Sequence, residues 1–296
     1  MNNAIRFEYL KLDNGITLHT ALAGSGRPLL FVHGFPEFWY EWRVQLETFA
    51  PAYQCIAPDL RGFNLSDKPP RVDDYRARKI IEDLRLLLRK LGHESAAVVA
   101  HDWGGAVAWG LAALYPDCVE KLVIINSPHP VLFARELRDS PAQQRASEYM
   151  NLFRSEKAER VLLEHDCQRL LRLSVEEWGK KGGDAGPAVR DAYVTSWKIP
   201  GALTGALNFY RASRLYPRLP GEAPIEVDEN FPVLPMPVLV IWGEQDEALL
   251  SGNLNGLERQ GARLSIERIP DGSHWVLHEQ PNKVNQLIRC FIETKG

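Results

Sequence analysis

No run of apolar residues in this 296-residue chain approaches the roughly 20 needed to cross a bilayer, so a membrane-spanning helix is not expected. The first residues, Met-Asn-Asn-Ala-Ile-Arg-Phe-Glu, contain no apolar signal segment, and the expected location is the cytoplasm. Cysteine is scarce: Cys55, Cys118, Cys167 and Cys290 are far apart in sequence and form neither C-x-x-C pairs nor a metal spacing with nearby histidines. They read as buried thiols in a reducing compartment, and no metal or other cofactor is expected. Neither sign of charge dominates, with 35 Lys and Arg against 38 Asp and Glu, a net charge of −3. A broad basic face is therefore excluded, and with it the usual basis for binding nucleic acid or an anionic membrane. Internal repeats and low-complexity tracts are also missing. What remains, 45% hydrophobic and 25% charged residues, is the composition of a globular chain able to bury about three quarters of its unfolded surface.

Residues 6–23 alternate apolar and polar about Asp13-Asn14-Gly15, which predicts an antiparallel hairpin. Short, wholly apolar strands follow at Leu29–Val32, Gln54–Ala57, Ala96–Ala100 and Val119–Ile125. Between them lie an aromatic-rich helical stretch from Phe38 to Phe49 and a helix carrying Ile80, Leu84, Leu87 and Leu91, with Asp73 and Asp74 near its start. Apolar strands alternating with helices predict a parallel sheet covered on both faces. The alternation stops between Pro128 and Pro232, where helical segments carry Tyr149, Phe153, Trp178 and Trp197 and a surface loop runs from Lys180 to Pro187. Strands resume at Val238–Trp242 and Leu264–Ile269, and one helix from Val276 to Ile292 is expected to close the chain. The predicted organisation is a core of residues 1–127 and 233–296 with a helical insertion at 128–232.

Val98 to Trp109 reads strand, very tight turn, helix, with Asp102 at the apex and Gly104 and Gly105 allowing close approach. Serine is missing from this elbow: Asp102 stands where hydrolases with a G-x-S-x-G elbow carry it, and Ala100 replaces the first glycine. The plain alternative is that Asp102 caps the helix. In sheets of this kind ligands bind at the carboxyl ends of strands. Asp102, Asp246 within Gly243-Glu244-Gln245-Asp246, and His274 within Asp271-Gly272-Ser273-His274-Trp275 each follow a predicted strand, in the order nucleophile, acid, histidine. Glu244 and Glu247 compete with Asp246 for the acid position. His101 should point away from Asp102 and give structural support, and His33 should hydrogen-bond nearby backbone.

Together with His33-Gly34-Phe35-Pro36, Asp59-Leu60-Arg61-Gly62 and His101-Asp102-Trp103-Gly104-Gly105, these motifs resemble the soluble epoxide hydrolases of the α/β-hydrolase superfamily over nearly the whole chain. The resemblance implies an α/β-hydrolase fold with a mostly parallel eight-stranded sheet and an inserted helical lid. It implies that the backbone N–H groups of Phe35 and Trp103 form an oxyanion hole and that the peptide before Pro36 is cis. Tyr149 and Tyr210 match the lid tyrosines that protonate an opening epoxide; the alternative is that each is an amphipathic core residue. Phe38, Trp39, Phe209 and Trp275 suggest an apolar substrate pocket.

The aspartate also carries a chemical argument. Attack on an ester carbonyl would give a mixed anhydride, whereas attack on a saturated carbon gives an ordinary alkyl ester that water activated by His274, oriented by Asp246, can hydrolyse. Epoxides and alkyl halides both offer such a carbon. Only the epoxide needs a proton donor for its leaving oxygen. A haloalkane or haloacid dehalogenase is the alternative, weakened by Phe35 where haloalkane enzymes often carry Asn and by Trp103 and Ala106 where fluoroacetate-type enzymes carry arginine. A non-catalytic hydrolase-fold binding module is a second alternative, although no triad member is missing. Expected partners are a small apolar epoxide and water, with a homodimer left open.

Overall fold

A computed structural model of the chain describes residues 4–294. Its eight strands are β1 (Arg6–Lys11), β2 (Thr17–Ala23), β3 (Arg27–Val32), β4 (Tyr53–Pro58), β5 (Ala96–His101), β6 (Val119–Ile125), β7 (Leu234–Gly243) and β8 (Gly261–Ile269). They form one sheet in the order β1-β2-β4-β3-β5-β6-β7-β8. Only the β1–β2 and β2–β4 pairs are antiparallel, and the rest are parallel. This is the α/β-hydrolase arrangement expected from the sequence.

The central strands send alternate residues to opposite faces, as the period of two requires. Leu30, Val32, Val98, Ala100, Leu122 and Ile124 belong to one core with Ile80, Leu84 and Leu87 of α2 (Ala77–Lys90) and Val107 and Leu111 of α3 (Asp102–Leu114). On the other face, Leu29, Phe31, Val99, Val123 and Ile125 pack with Leu46 and Phe49 of the helix Arg43–Phe49 and with Ile288 and Ile292 near the C-terminus. Full burial of each such aliphatic or aromatic side chain contributes about 1.5–3 kcal/mol. Hydrophobic stripes on both faces leave the sheet nowhere to go but between two helical layers.

Four sequence expectations are corrected. Cys55 and Cys167 are buried, but Cys118 is half-buried and Cys290 exposed, because Cys290 lies on the outer side of the C-terminal helix. β8 is not apolar throughout: it is an edge strand whose burial alternates, with Arg263, Ser265 and Glu267 partly or fully solvated. β7 begins at Leu234, and Pro235 and Pro237 precede Val238, where pairing with β6 starts, so neither proline interrupts that ladder. The closing helix is two helices, Val276–Glu279 and Pro281–Glu293, because Pro281 cannot continue the first but suits the first position of the second.

Seven α-helices and no strand lie between β6 and β7. Continuing from α3, they are α4 (Pro130–Asp139), α5 (Pro141–Ala146), α6 (Tyr149–Arg154), α7 (Ala158–Leu173), α8 (Val175–Lys180), α9 (Pro187–Lys198) and α10 (Ala202–Ala212). None of the helices among the described residues is long and apolar enough to cross a membrane. Strand order reverses direction between β3 and β5, and the loop after β3 faces the start of α3 across that switch point, the place where sheets of this type bind ligands.

Candidate active site

β5 passes into α3 with no intervening loop, and the residue that absorbs the change is Asp102, whose φ is +48°. A non-glycine residue held in this left-handed region costs about 1–3 kcal/mol, so the surroundings must enforce it. They do so by close packing. A Cβ on Gly104 would lie 2.1 Å from the Val32 carbonyl oxygen, and one on Gly105 would lie 2.3 Å from the Ser127 side chain. The glycine of the His33-Gly34 pair is equally constrained, since a Cβ there would come within 2.5 Å of Asp102 Oδ1. Asp102 is not the N-cap of α3, which is His101, but its first helical residue. Oδ1 accepts the Phe35 N–H at 2.8 Å, and the Trp103 N–H also bonds the carboxylate. The Phe35–Pro36 peptide is cis.

Asp102 Oδ2 faces His274 Nε2 at 3.6 Å, and His274 Nδ1 meets Asp246 Oδ2 at 2.7 Å. Asp246 is buried and its carboxylate is saturated: Oδ1 accepts the N–H groups of Ala248 and Leu249 at 2.9 and 2.8 Å, and Oδ2 also accepts Asn126 Nδ2 at 2.9 Å. That bonding fixes the His274 tautomer, with Nδ1–H toward Asp246 and Nε2 toward Asp102. Glu244 is engaged with Arg268 at 2.6 Å, so Asp246 is the carboxylate at the histidine.

Burial by itself would lower the His274 pKa, but the charge and hydrogen bond of Asp246 and the charge of Asp102 outweigh it and raise the imidazole to about 9. Asp102 is raised by burial, opposed by His274 and by the two backbone N–H groups. The resting site is therefore an imidazolium between two carboxylates.

His101 and His33 both bond as expected. His33 Nδ1–H donates to the Gly34 carbonyl at 2.9 Å while Nε2 accepts the Leu60 N–H at 2.9 Å. His101 Nε2–H donates to the His274 carbonyl at 2.9 Å, and Nδ1 lies 2.5 Å from Glu41 Oε1. Burial drives His101 far below and Glu41 far above their ordinary values. Both shifts favour the uncharged forms of the two partners.

Tyr149 and Tyr210 reach the same cavity as Asp102 and Trp103, whose other walls include Pro130, Phe133, Met150, Leu215 and Leu249. The Tyr210 ring stands edge-on to Phe35 at 5.2 Å and to Trp103 at 5.0 Å, and the two tyrosines hydrogen-bond each other. Burial raises both phenols, Tyr210 with help from the Tyr149 and Asp102 charges, Tyr149 with help from Asp102 and Asp246, so both are protonated at neutral pH. Arg154, at the end of α6, donates to the Tyr210 and Ser213 carbonyls and so ties the two tyrosine-bearing helices together.

The expected aromatic pocket is placed differently. Phe38, Trp39, Phe209 and Trp275 are not walls of this cavity. Phe38 packs on Tyr40 and Tyr193, Trp39 on Phe7, and Trp275 on His101, His274 and Trp178. Phe209 packs on Trp103, Phe63 and Tyr75, about 100° around α10 from Tyr210. Rings this large were absorbed by the layer that supports the site.

Two residues escaped sequence reasoning. Asn126, at φ +37°, bonds both Asp246 and the Gly243 N–H, and Ser127 Oγ donates to the Asp102 carbonyl at 2.6 Å. Both directly follow β6, so weighing the polar residues after every strand would have found them. Among the described residues, Glu37, Glu41 and His278 are close enough to share an ion, but Glu41 is committed to His101 and Gly34, and Glu37 to Tyr193.

The family model for the alpha/beta hydrolase fold matches residues 27–281. The chain is 38% identical to Epoxide hydrolase 1 of Caenorhabditis elegans over 295 residues, covering 96% of this chain and 69% of that one. It is 37% identical to the AB hydrolase superfamily protein YfhM of Bacillus subtilis, over 95% of this chain and 96% of that one. Among solved structures, an epoxide hydrolase of Bacillus megaterium in complex with an inhibitor superposes with a TM-score of 0.88 at 34% identity, covering 97% of this chain and all of that one. An aspartate elbow facing a histidine, on this sheet and among these relatives, makes the chain a member of the α/β-hydrolase fold family and, within it, of the epoxide hydrolases.

Proposed function

We propose that this enzyme converts an epoxide to a vicinal diol through an ester on Asp102, beneath a lid formed by residues 128–232 on a core of 1–127 and 233–296. The observation that carries the reading is the division of labour at one carboxylate: Oδ1 is tied to the Phe35 N–H, and Oδ2 is left facing the cavity and His274. In the first half-reaction Oδ2 attacks an epoxide carbon, the C–O bond breaks, and the departing oxygen takes a proton from Tyr210 or Tyr149. The negative charge of Asp102, which raises both phenols, disappears in the same step. Each tyrosine becomes a stronger acid as the alkoxide forms.

The second half-reaction regenerates the carboxylate. Water bonds to Asp102 Cγ, its proton passes to His274 Nε2, and the carbonyl electrons move onto Oδ1 against the N–H groups of Phe35 and Trp103; one such donor contributes about 3–4 kcal/mol. Collapse breaks the Cγ–Oδ2 bond, the diol leaves with a proton from His274, and the carboxyl proton that water brought to Asp102 passes to His274 Nε2, restoring the carboxylate. The free enzyme's imidazole, at about 9, would be a reluctant base were it to stay charged. Esterification removes the Asp102 charge that helps hold it there, so His274 gives up its proton, which restores the phenol left ionised by the first half-reaction, and is neutral when water must be activated.

The test pairs styrene-type and aliphatic epoxides with matched bromoalkanes and follows the intact mass of His274→Gln. Diol formation and an adduct on the peptide containing Asp102 are expected. Faster turnover of bromoalkanes than of any epoxide would make the chain a dehalogenase, and an active substrate that leaves no adduct would favour direct attack by water.

A further inference from the structure

The loop that carries the Phe35 N–H is gripped from two sides. On the core side, His33 and Glu41 hold Gly34, and the Glu37 N–H closes the turn onto the Gly34 carbonyl at 3.1 Å. On the other side the contacts come from α9. Trp197 Nε1–H donates to the Pro36 carbonyl at 2.6 Å, and the Tyr193 hydroxyl donates to Glu37 Oε2. Proline has no N–H, so this carbonyl is the only backbone polar handle Pro36 offers. Glu37 is buried, and its other oxygen has no hydrogen bond, lying 3.4 Å from His278 Nε2. Tyr193 and Trp197 are themselves buried, so water does not replace either bond when it is lost.

We propose that Tyr193 and Trp197 are positioning residues for the oxyanion donor: α9 holds the Pro36-Glu37 segment so that the preceding Phe35 N–H stays on Asp102 Oδ1. The proposal rests on the ester reading above. It predicts an effect on one half-reaction and not on the other. During alkylation the carboxylate loses its charge, so the Phe35 N–H stabilises the starting state more than the transition state, and loosening it does not slow the step. During ester hydrolysis charge returns to Oδ1, and the same loosening is costly. A bond that merely held the fold together would not distinguish the two steps.

The experiment measures both rate constants by rapid quench and intact mass, with a styrene-type epoxide, in Trp197→Phe, Tyr193→Phe and the double variant. Trp178→Phe serves as control: Trp178 packs on the Tyr193 ring but bonds the Asp184 carbonyl rather than the loop. Ester hydrolysis is expected to slow about 10-fold in each single variant and toward the 10²–10³-fold ceiling of a lost oxyanion donor in the double. Single-turnover alkylation should stay within about twofold, so the alkylated fraction at steady state rises. The control should lose thermal stability without shifting that balance. Equal slowing of both half-reactions, no change in either, or the same imbalance in Trp178→Phe would overturn the proposal. His274→Gln separates this from failure of the ester itself: an adduct there with no imbalance in the α9 variants rejects only the positioning role, whereas no adduct rejects both.

Discussion

Asp102, Asp246 and His274 stand just beyond the ends of β5, β7 and β8, and each is fixed by backbone hydrogen bonds or by a buried polar partner. Tyr149 and Tyr210 stand on α6 and α10, outside the sheet, and meet the core largely through rings, as Tyr210 does against Phe35 and Trp103. The strand-end half places charges that must be accurate to fractions of an ångström. The helical half places two neutral hydroxyls, which in the proposed reaction share one task and tolerate more movement. A hydrogen-bonded sheet supplies the first kind of accuracy, whereas ring packing gives a surface that can part to admit substrate.

The comparison breaks most sharply at Asp102. Asp102→Ala should abolish turnover, by at least about 10⁴-fold, while the protein stays folded, because no tyrosine of the helical half can form the ester. Measured diol formation, with reversion excluded by mass, checks this. Next in size, Tyr149→Phe with Tyr210→Phe should slow epoxide alkylation by about 10²–10⁴-fold and leave hydrolysis of a preformed ester nearly unchanged. Each single variant should cost less, since either hydroxyl can serve. If alkylation by a bromoalkane fell as far, the tyrosines would be acting through packing and not as acids.

A smaller effect is expected from Asn126→Ala, which removes a buried bond to Asp246 and one to the Gly243 N–H and should cost about 1–3 kcal/mol of stability, read from denaturant unfolding. Its kinetic penalty should fall on ester hydrolysis, where His274 needs its orienting carboxylate.

The mildest probe is pH, followed separately for the two half-reactions. Alkylation needs Asp102 ionised, and because burial raises that carboxyl, activity should be lost on the acid side sooner than an ordinary carboxyl would dictate. No alkaline loss should come from the tyrosines near their usual 10, since both are shifted upward. Ester hydrolysis needs neutral His274, so it should rise with pH through a midpoint below the free enzyme's value of about 9. A midpoint at or above 9 in the ester would mean that Asp102's charge does not govern the base.

Much of the strand-end half was legible from residue order. Apolar strands interrupted by Gly104, Gly105 and Gly243 have few ways to turn, and each turn is filled by a polar residue whose neighbours in sequence are its neighbours in space. Asn126 and Ser127 were readable by the same rule. The aromatic residues were not. Phe38, Trp39, Phe209 and Trp275 have the composition of a pocket, yet a ring satisfies its hydrophobic demand equally well behind a site as in front of it. The break at Pro281 was visible as a proline, but only the packing of Ile288 and Ile292 against the sheet decided that the chain would restart a helix there.

The sequence by itself determined the sheet, its eight strands and the strained elbow at Asp102, because period-two apolar runs and small residues beside a tight turn leave little freedom. It also offered a carboxylate at the elbow, from which the proposed attack on a saturated carbon follows. The tertiary structure decided what depends on distance in space: that burial shifts Glu41 and His101 toward their uncharged forms, that His274 is raised to about 9, and that α9 bonds the Pro36 carbonyl from far along the chain. Charge states and long-range hydrogen bonds follow from burial and from which groups lie within a few ångströms, and those quantities exist only once the chain has folded.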